Sequence, residues 1–264
     1  MEYTARAGWQ PLLRDPSGQR QSKPRTIGKT MVIDKGMGIQ AFDDFLAISS
    51  PYVDMIKLGF GTSPLYPLPV LQRKIELAKA YQVIIYPGGT FLEVAVQKDE
   101  IEAFFDMVGS LGFTGIEVSD GTIEMSRELR NQLIEKGRNM GLTVLTEYGK
   151  KLLGSKIEIE PLLSTIHQDV EFGADLVIVE GRDSGKGVGL YDENGDCIED
   201  TLDEIIQRLK KPDMLMWEAP LKNQQVHLLK TLGLQVNLGN IAMEEVYSLE
   251  CLRRGLRSDT IVLN

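Results

Sequence analysis

The chain has 264 residues, 42% of them hydrophobic and 25% charged, enough for one large α/β core or two small domains. Its net charge of −9 excludes a broad basic face for nucleic acid or anionic membrane, although a local cluster of Lys and Arg can still serve an anionic substrate. Cys197 and Cys251 are too few and too far apart for a disulfide framework or a Cys-rich metal site, and read as reduced thiols.

No apolar run approaches the roughly 18 residues of a membrane span. Met1 to Lys29 is polar, carries Pro11, Pro16 and Pro24, and lacks a signal-peptide core, so a soluble cytoplasmic protein is expected. Residues 1–28 read as a loosely ordered arm with turn formers and no apolar period, in which Trp9, Leu12 and Leu13 are the residues able to dock on a surface. Residues 29–264 then read as one catalytic domain. Strands are expected at Thr30–Ile33, Val53–Ile56, Val83–Tyr86, Gly115–Val118, Leu142–Thr146, Val177–Val179, Met214–Trp217 and Leu234–Asn237. Between them, helical spacing covers Phe42–Ile48, Leu68–Tyr81, Phe91–Ala95, Glu100–Leu111 and Ser126–Met140, the last with Ser126 as N-cap. Further helices are expected over Ile159–Gly173, Leu202–Lys210, Gln224–Leu232 and Met243–Arg254.

About eight strands alternating with helices, with no linker between two sets, predict a parallel sheet closed into a single (β/α)8 TIM-type barrel. Four of the strands end in glutamate: Glu117, Glu147, Glu180 and Glu218, each about one β/α unit from the next. A barrel gathers such residues at its C-terminal mouth, where barrel enzymes keep their chemistry. Four converging carboxylates must be protonated, paired with cations or bound to metal. Lys35, Lys57, Lys150, Lys151, Arg182 and Lys186 are the available cations, and oxygen ligands without a His or Cys cluster point to Mg²⁺. Physics alone leaves Lys150 and Lys151 equivalent, and Lys57 is as readily a structural counter-ion as a reacting group.

Other signals are weaker. Gly185-Lys186-Gly187-Val188-Gly189 lacks Walker spacing and reads as a mobile lid with Lys186 over the site. Asp192–Asp196 resembles a calcium loop, but Cys197 occupies the position that needs glycine, so a surface turn is expected. His167 and His227 fall within helices, away from strand ends, which gives a hydrolase triad little support. Arg253 to Arg257 complements a helix C-terminus and reads as a structural or subunit contact.

These strand ends resemble those of the phosphosulfolactate synthase family. The matching stretches include Val32–Gly36, Ile56–Ser63, Tyr86–Thr90, Ile116–Gly121, Leu145–Lys151, Glu180–Gly187, Glu218–Pro220, Asn237–Ile241 and Leu252–Thr260. They run in order from about Pro24 to Thr260. Tyr148, Leu58, Phe60 and Gly239 replace Val, Phe, Trp and Ala of the family pattern, and none of these changes removes a charge. Relatives linked to heat-stress tolerance lack the Glu-Gly-Arg-x-Ser-Gly signature, which this chain keeps at Glu180–Gly185.

The resemblance implies a carbon–sulfur lyase of coenzyme M or sulfolactate biosynthesis, adding sulfite to C3 of phosphoenolpyruvate with protonation at C2. It implies Lys151 as the proton donor, with Lys57 and Glu147 as further catalytic groups. It implies Mg²⁺ held by Glu147, Glu180 and Glu117. Arg182, Lys35, Gly88, Gly89, Thr90, Ser184 and Asn240 are then expected to bind the anionic substrates. A homo-oligomer is expected as well. The competing expectations are a lyase or aldolase in which Lys57 or Lys151 forms a Schiff base, and a barrel serving as a stress-linked binding protein.

Overall fold

A computed structural model describes residues 9–209 and 212–261; Lys210, the expected end of one helix, and the first eight residues of the arm lie outside them. Eight parallel strands form one sheet: β1 (Thr30–Asp34), β2 (Met55–Leu58), β3 (Ile84–Pro87), β4 (Gly115–Val118), β5 (Thr143–Tyr148), β6 (Leu176–Val179), β7 (Leu215–Glu218) and β8 (Leu238–Ala242). Their order is β3-β2-β1-β8-β7-β6-β5-β4. The two end strands meet through Thr114, whose amide donates to Ile85 O at 3.1 Å while its hydroxyl accepts from Ile85 N at 2.9 Å. The sheet is therefore a nearly closed (β/α)8 barrel. Among the described residues no helix is long and apolar enough to cross a membrane.

The strands read as continuous apolar runs because both of their faces are covered. Val32, Ile56, Ile116, Val144, Val177 and Trp217 pack outward with the helices in the larger core. Met31, Met55, Tyr86, Leu145, Leu176, Ile178 and Met216 form a separate core inside the barrel. Side chains alternate along a strand, so the residue two beyond each inward one also points inward. That places Lys57 above Met55, Glu147 above Leu145, Glu180 above Ile178 and Glu218 above Met216. An apolar plug thus fills the lower barrel, and a charged layer sits on it at the C-terminal end.

The helix over Arg127–Asn139 is capped as expected, Ser126 Oγ accepting from Leu129 N at 3.2 Å. The eighth strand departs from expectation by four residues. Leu238-Gly239-Asn240-Ile241-Ala242 forms β8, whereas Leu234 and Asn237 precede it as buried supports. Gly239 and Asn240 disguise the strand, since both favour turns in sequence. Here Leu238 N bonds Lys29 O at 3.0 Å and Ile241 pairs with Val32, which draws the segment into the sheet.

Residues 9–28 add a short helix (Pro11–Arg14) and no strand. Trp9, Leu12 and Leu13 do not dock this segment: they are 78%, 77% and 60% exposed. Its basic side chains do so instead, at the N-terminal end of the barrel. Arg20 pairs with Glu250 at 2.9 Å and donates to Gly28 O at 2.7 Å. Lys23 Nζ donates to Ser50 O, Val53 O and Gln82 O at 2.8–3.1 Å, and Arg25 lies 3.3 Å from Asp54. Cys197 and Cys251 are both free thiols.

Candidate active site

The charged layer at the C-terminal mouth lines a cavity of about 130 Å³. Its wall brings together Ile33, Lys57, Gly88, Thr90, Glu147, Lys151, Glu180, Arg182, Glu218 and Asn240, with the more exposed Phe60 and Asp183 also lining it. A larger groove of about 520 Å³ runs outside the barrel among Leu68, Phe91, Phe104 and Met107, but it is apolar and lacks convergent charge.

Lys57 is the hub. Its ammonium lies 2.9 Å from Glu117, 3.3 Å from Glu147 and 3.3 Å from Glu218. Lys151 forms a second cationic point, 2.7 Å from Glu147, 3.6 Å from Glu180 and 3.4 Å from Thr90 Oγ1. All four glutamates are essentially buried. Two ammonium groups therefore face four carboxyl groups, and burial cannot tolerate the difference as bare charge.

The site resolves this by splitting the carboxyl groups. Burial opposes ionisation of Glu147, but Lys151 and Lys57 outweigh it and hold the group well below the usual carboxylate range. Burial, then the charges of Glu147 and Glu218, push Glu180 well above that range, with Lys151 pulling the other way. Burial also raises Glu117, with Lys57 pulling the other way. For both lysines burial acts downward, and the surrounding carboxylates more than reverse it. A lysine tuned towards neutrality is thus not what the site contains; each ammonium is firmly protonated.

Backbone amides complete the layer. Gly181 N donates to Glu218 Oε2 at 3.0 Å, Arg182 N to Glu180 Oε1 at 2.6 Å and Gly89 N to Glu117 Oε1 at 2.8 Å. Gly89 needs to be glycine for this approach, since a Cβ there would lie 2.7 Å from the same Glu117 oxygen. Among the expected metal ligands, Glu117 is consequently turned to Lys57 and Gly89 and is absent from the cavity wall. The carboxylate oxygens that come within 4.8 Å of one another belong to Glu147, Glu180 and Glu218. Glu147 Oε1 and Glu180 Oε2 are buried without an aligned hydrogen-bond donor.

Other expected residues separate in the same way. The Arg182 guanidinium faces the cavity without a protein partner among the described residues. Asn240, 4% exposed, reaches the wall from β8 with its Oδ1 unpartnered. Lys35 lies at the mouth, paired with Asp183 at 3.1 Å across the rim. Ser184 and Lys186 are exposed and do not line the cavity. The glycine-rich segment is not a free lid either. Val188, Leu190 and Tyr191 are buried, and Gln224 Nε2 donates to Gly185 O and Gly195 O at 2.7 and 3.0 Å. Asp192 Oδ1 accepts from Asn194 N and Asp196 N, the surface turn anticipated there.

Lys150 and Lys151, equivalent in sequence, diverge. Lys150 Nζ bonds Asp120 O and Ile123 O at 2.8 and 2.9 Å on the outside, while Lys151 enters the cavity. Glu218 belongs to the wall although the resemblance implied no catalytic or metal-binding role for it. Its place in the series of strand-end glutamates was the signal. Phe60 carried no such signal.

Comparison with known proteins agrees with this geometry. Residues 18–259 match the family model of (2R)-phospho-3-sulfolactate synthase. The phosphosulfolactate synthase of Methanothermobacter thermautotrophicus is 43% identical over 244 residues, covering 92% of this chain and 94% of that protein. That of Bacillus subtilis is 37% identical over 246 residues, covering 92% and 96%. Among solved structures, the dihydrodipicolinate synthase of Agrobacterium tumefaciens superposes with a TM-score of 0.56 at 10% identity, over 90% of this chain and 78% of that one, a likeness of fold alone. With its matched stretch running through every strand of the barrel, the chain belongs to the phosphosulfolactate synthase family.

Proposed function

We propose that this cavity adds sulfite to C3 of phosphoenolpyruvate and protonates C2, giving (2R)-O-phospho-3-sulfolactate with the help of Mg²⁺. The observation that carries the reading is the pairing, on one wall, of a half-buried ammonium (Lys151) with a guanidinium that has no protein partner among the described residues (Arg182). The first is a proton donor and the second a forked holder for phosphate or sulfonate oxygens. The Asn240 side chain and Thr90, in the first turn of the helix Gly89–Gln97, face the same space and offer further donors to anionic oxygens, whereas the Gly89 amide is already committed to Glu117.

The residues fit a divalent cation. Glu147, Glu180 and Glu218 supply only oxygen, as Mg²⁺ prefers, and two of their buried oxygens lack aligned donors. When bound, Mg²⁺ supplies electrophilic stabilisation of the charge that develops on the substrate carboxylate. The chain's own groups account for the rest. The sulfur lone pair forms the bond to C3, and the C2–C3 π pair moves towards C2 and the carboxylate. Lys151 then gives its proton to C2. A firmly protonated ammonium suits that step, because the carbanion-like carbon is a far stronger base than an amine and the donor is always charged beforehand. The Lys151 side chain is 20% exposed, so the amine regains a proton from water at the mouth. The same electrostatics oppose a Schiff-base lyase, which needs a neutral amine, whereas carboxylates hold both Lys57 and Lys151 protonated.

The test is product formation from phosphoenolpyruvate and sulfite, with and without Mg²⁺, by wild type and Lys151→Ala. Metal-dependent phosphosulfolactate is expected in wild type, and the substitution is expected to lower kcat by about 10²–10⁴, the usual worth of a positioned acid. Folded wild type that makes no product overturns the reading. Full activity in Lys151→Ala removes the proton from Lys151.

A further inference from the structure

Glu93 lies in the middle of the helix Gly89–Gln97, fully buried and outside the cavity wall. Its carboxylate gathers four donors from one short stretch: Ser119 Oγ, Gly121 N at 3.1 Å, Thr122 N at 2.8 Å and Thr122 Oγ1. Hydrogen bonds to an ionised acceptor are stronger than neutral ones, and burial strengthens them further. Such a carboxylate specifies the shape of whatever donates to it. Here it specifies the turn after β4.

Lys151 rests on that turn. Its amide donates to Gly121 O at 3.0 Å. A Cβ on Gly121 would fall 3.0 Å from Lys151 Cγ and 3.1 Å from Cδ and Cε, so the aliphatic stem lies flat against the bare backbone. From this support the ammonium reaches Glu147 and Glu180. Lys150 grips the opposite side of the same turn.

We infer that Glu93 is a positioning residue for Lys151: by pinning Ser119 to Thr122 it builds the floor along which the lysine stem is aimed into the cavity. Its importance for turnover rests on the proposed role of Lys151 as proton donor; its effect on the placement of Lys151 does not. The position carries no mark in sequence, being one glutamate within a helix whose first turn faces the site.

Two readouts on the full chain separate these points, using wild type, Glu93→Gln, Glu93→Asp and Gly121→Ala. Glu93→Gln keeps the size of the side chain but loses acceptor capacity. Gly121→Ala leaves the Glu93 contacts alone and displaces the lysine stem directly. The first readout is acetylation by acetic anhydride without substrate, followed by mass spectrometry, with Lys151 measured relative to Lys150. The second is kcat and KM with phosphoenolpyruvate, sulfite and Mg²⁺. In Glu93→Gln and Gly121→Ala we expect Lys151 to react at least about threefold faster, and kcat to fall at least about tenfold with KM for phosphoenolpyruvate moving less than about threefold, the pattern of a lost transition-state interaction. Glu93→Asp should recover part of both.

Folded variants with wild-type acetylation overturn the inference, whether or not kcat falls. If Glu93→Gln does not fold, the partial shift in Glu93→Asp decides, with Gly121→Ala as the reference for a displaced stem, and wild-type acetylation in a folded Glu93→Asp protein overturns the inference. A wild type without synthase activity whose variants still show the acetylation shift sinks the proposed reaction and leaves the positioning intact.

Discussion

The two ends of the barrel both bury charge, and they do so with opposite imbalance. At the mouth, Lys57 and Lys151 face four glutamates, and carboxylates hold both lysines above their ordinary range. At the floor, Arg20, Arg25 and Arg253 meet Glu250 and Asp54. There burial, then the neighbouring Arg20, draws the Arg253 guanidinium down to about 9. The floor meets its cations partly with backbone: Arg253 donates to Leu234 O and Val236 O at 2.8 Å, and Arg20 to Gly28 O. Arg20 Nη2, Arg25 Nε and Nη1 and Arg253 Nε stay buried without an aligned acceptor among the described residues, and they line no part of the mouth cavity. The mouth instead leaves carboxylate oxygens and a guanidinium turned to an open cavity. Charge spent on carbonyls ties chain segments together, whereas charge left facing a cavity is available to a ligand.

The sharpest way to break this contrast is to remove the hub. Lys57→Met leaves Glu117, Glu147 and Glu218 without their shared cation. Breaking a buried ion pair from one side costs about 3–5 kcal/mol, so a loss of that order is expected at pH 7 in urea unfolding. Part of it should return at pH 5, where the stranded carboxyls protonate. Unchanged stability would mean that the carboxyls are already neutral without Lys57. Turnover should be lost even in the fraction that folds.

The corresponding change at the floor is Arg253→Met. It strands two carbonyls, each worth about 1–3 kcal/mol when buried without a donor, while relieving the crowding of guanidinium groups. A net loss of about 2 kcal/mol is expected, with kcat at 25 °C unchanged. A folded Arg253→Met protein with severely reduced kcat would show that the two ends are coupled.

Acid–base behaviour gives a smaller effect. Glu147 is depressed in the fold, so its contribution is present above the ordinary carboxylate value and is lost only as pH falls through its lower folded value. Glu180 and Glu117 are raised, so theirs is complete below the ordinary value and is lost as pH rises through their folded values. Asp54 at the floor is raised by burial and acts with the same sign. EDTA-treated protein should therefore become less stable in urea from pH 5 to pH 8. Glu180→Gln, which imitates the protonated acid, should flatten this slope and leave the Asp54 part. A slope of opposite sign in wild type would show Glu180 ionised.

The same contrast explains what could be read from the sequence. Glu117, Glu147, Glu180 and Glu218 were visible because each closes an apolar strand, and strands recur at the spacing of a β/α unit. The barrel follows from that recurrence. Arg20, Lys23 and Arg25 had no such marker: they lie among turn formers, and their partners, such as Gly28 O and Val53 O, are backbone atoms that no residue type announces. β8 was misplaced because its register comes from Lys29 and Val32, distant in sequence, against the local preference of Gly239 and Asn240. Glu117 appeared equivalent to the other glutamates, and only the Gly89 amide and Lys57 set it apart. Identity at a strand end was legible; the direction each side chain takes depends on partners contributed by other units.

Lys150 and Lys151 offer the finest test, since one position along the chain separates structural charge from charge open to a ligand. The Lys150 side chain is 38% exposed, and its bonds to Asp120 O and Ile123 O brace a turn that Glu93 already holds with four donors. Half-exposed ion pairs contribute about 1 kcal/mol or less, so Lys150→Ala should shift unfolding by no more than that. Its kcat should fall less than about fivefold, because 1 kcal/mol of lost alignment sets that ceiling. Lys151→Ala should show the reverse balance. It frees Glu147 from one of two cations, which costs stability, but its main effect is on kcat, where the proton to C2 is missing. If Lys150→Ala proved the more damaging to turnover in folded protein, the turn would have to open in the working enzyme and exchange the two lysines. The outer bonds to Asp120 O and Ile123 O would then be a resting state of the donor.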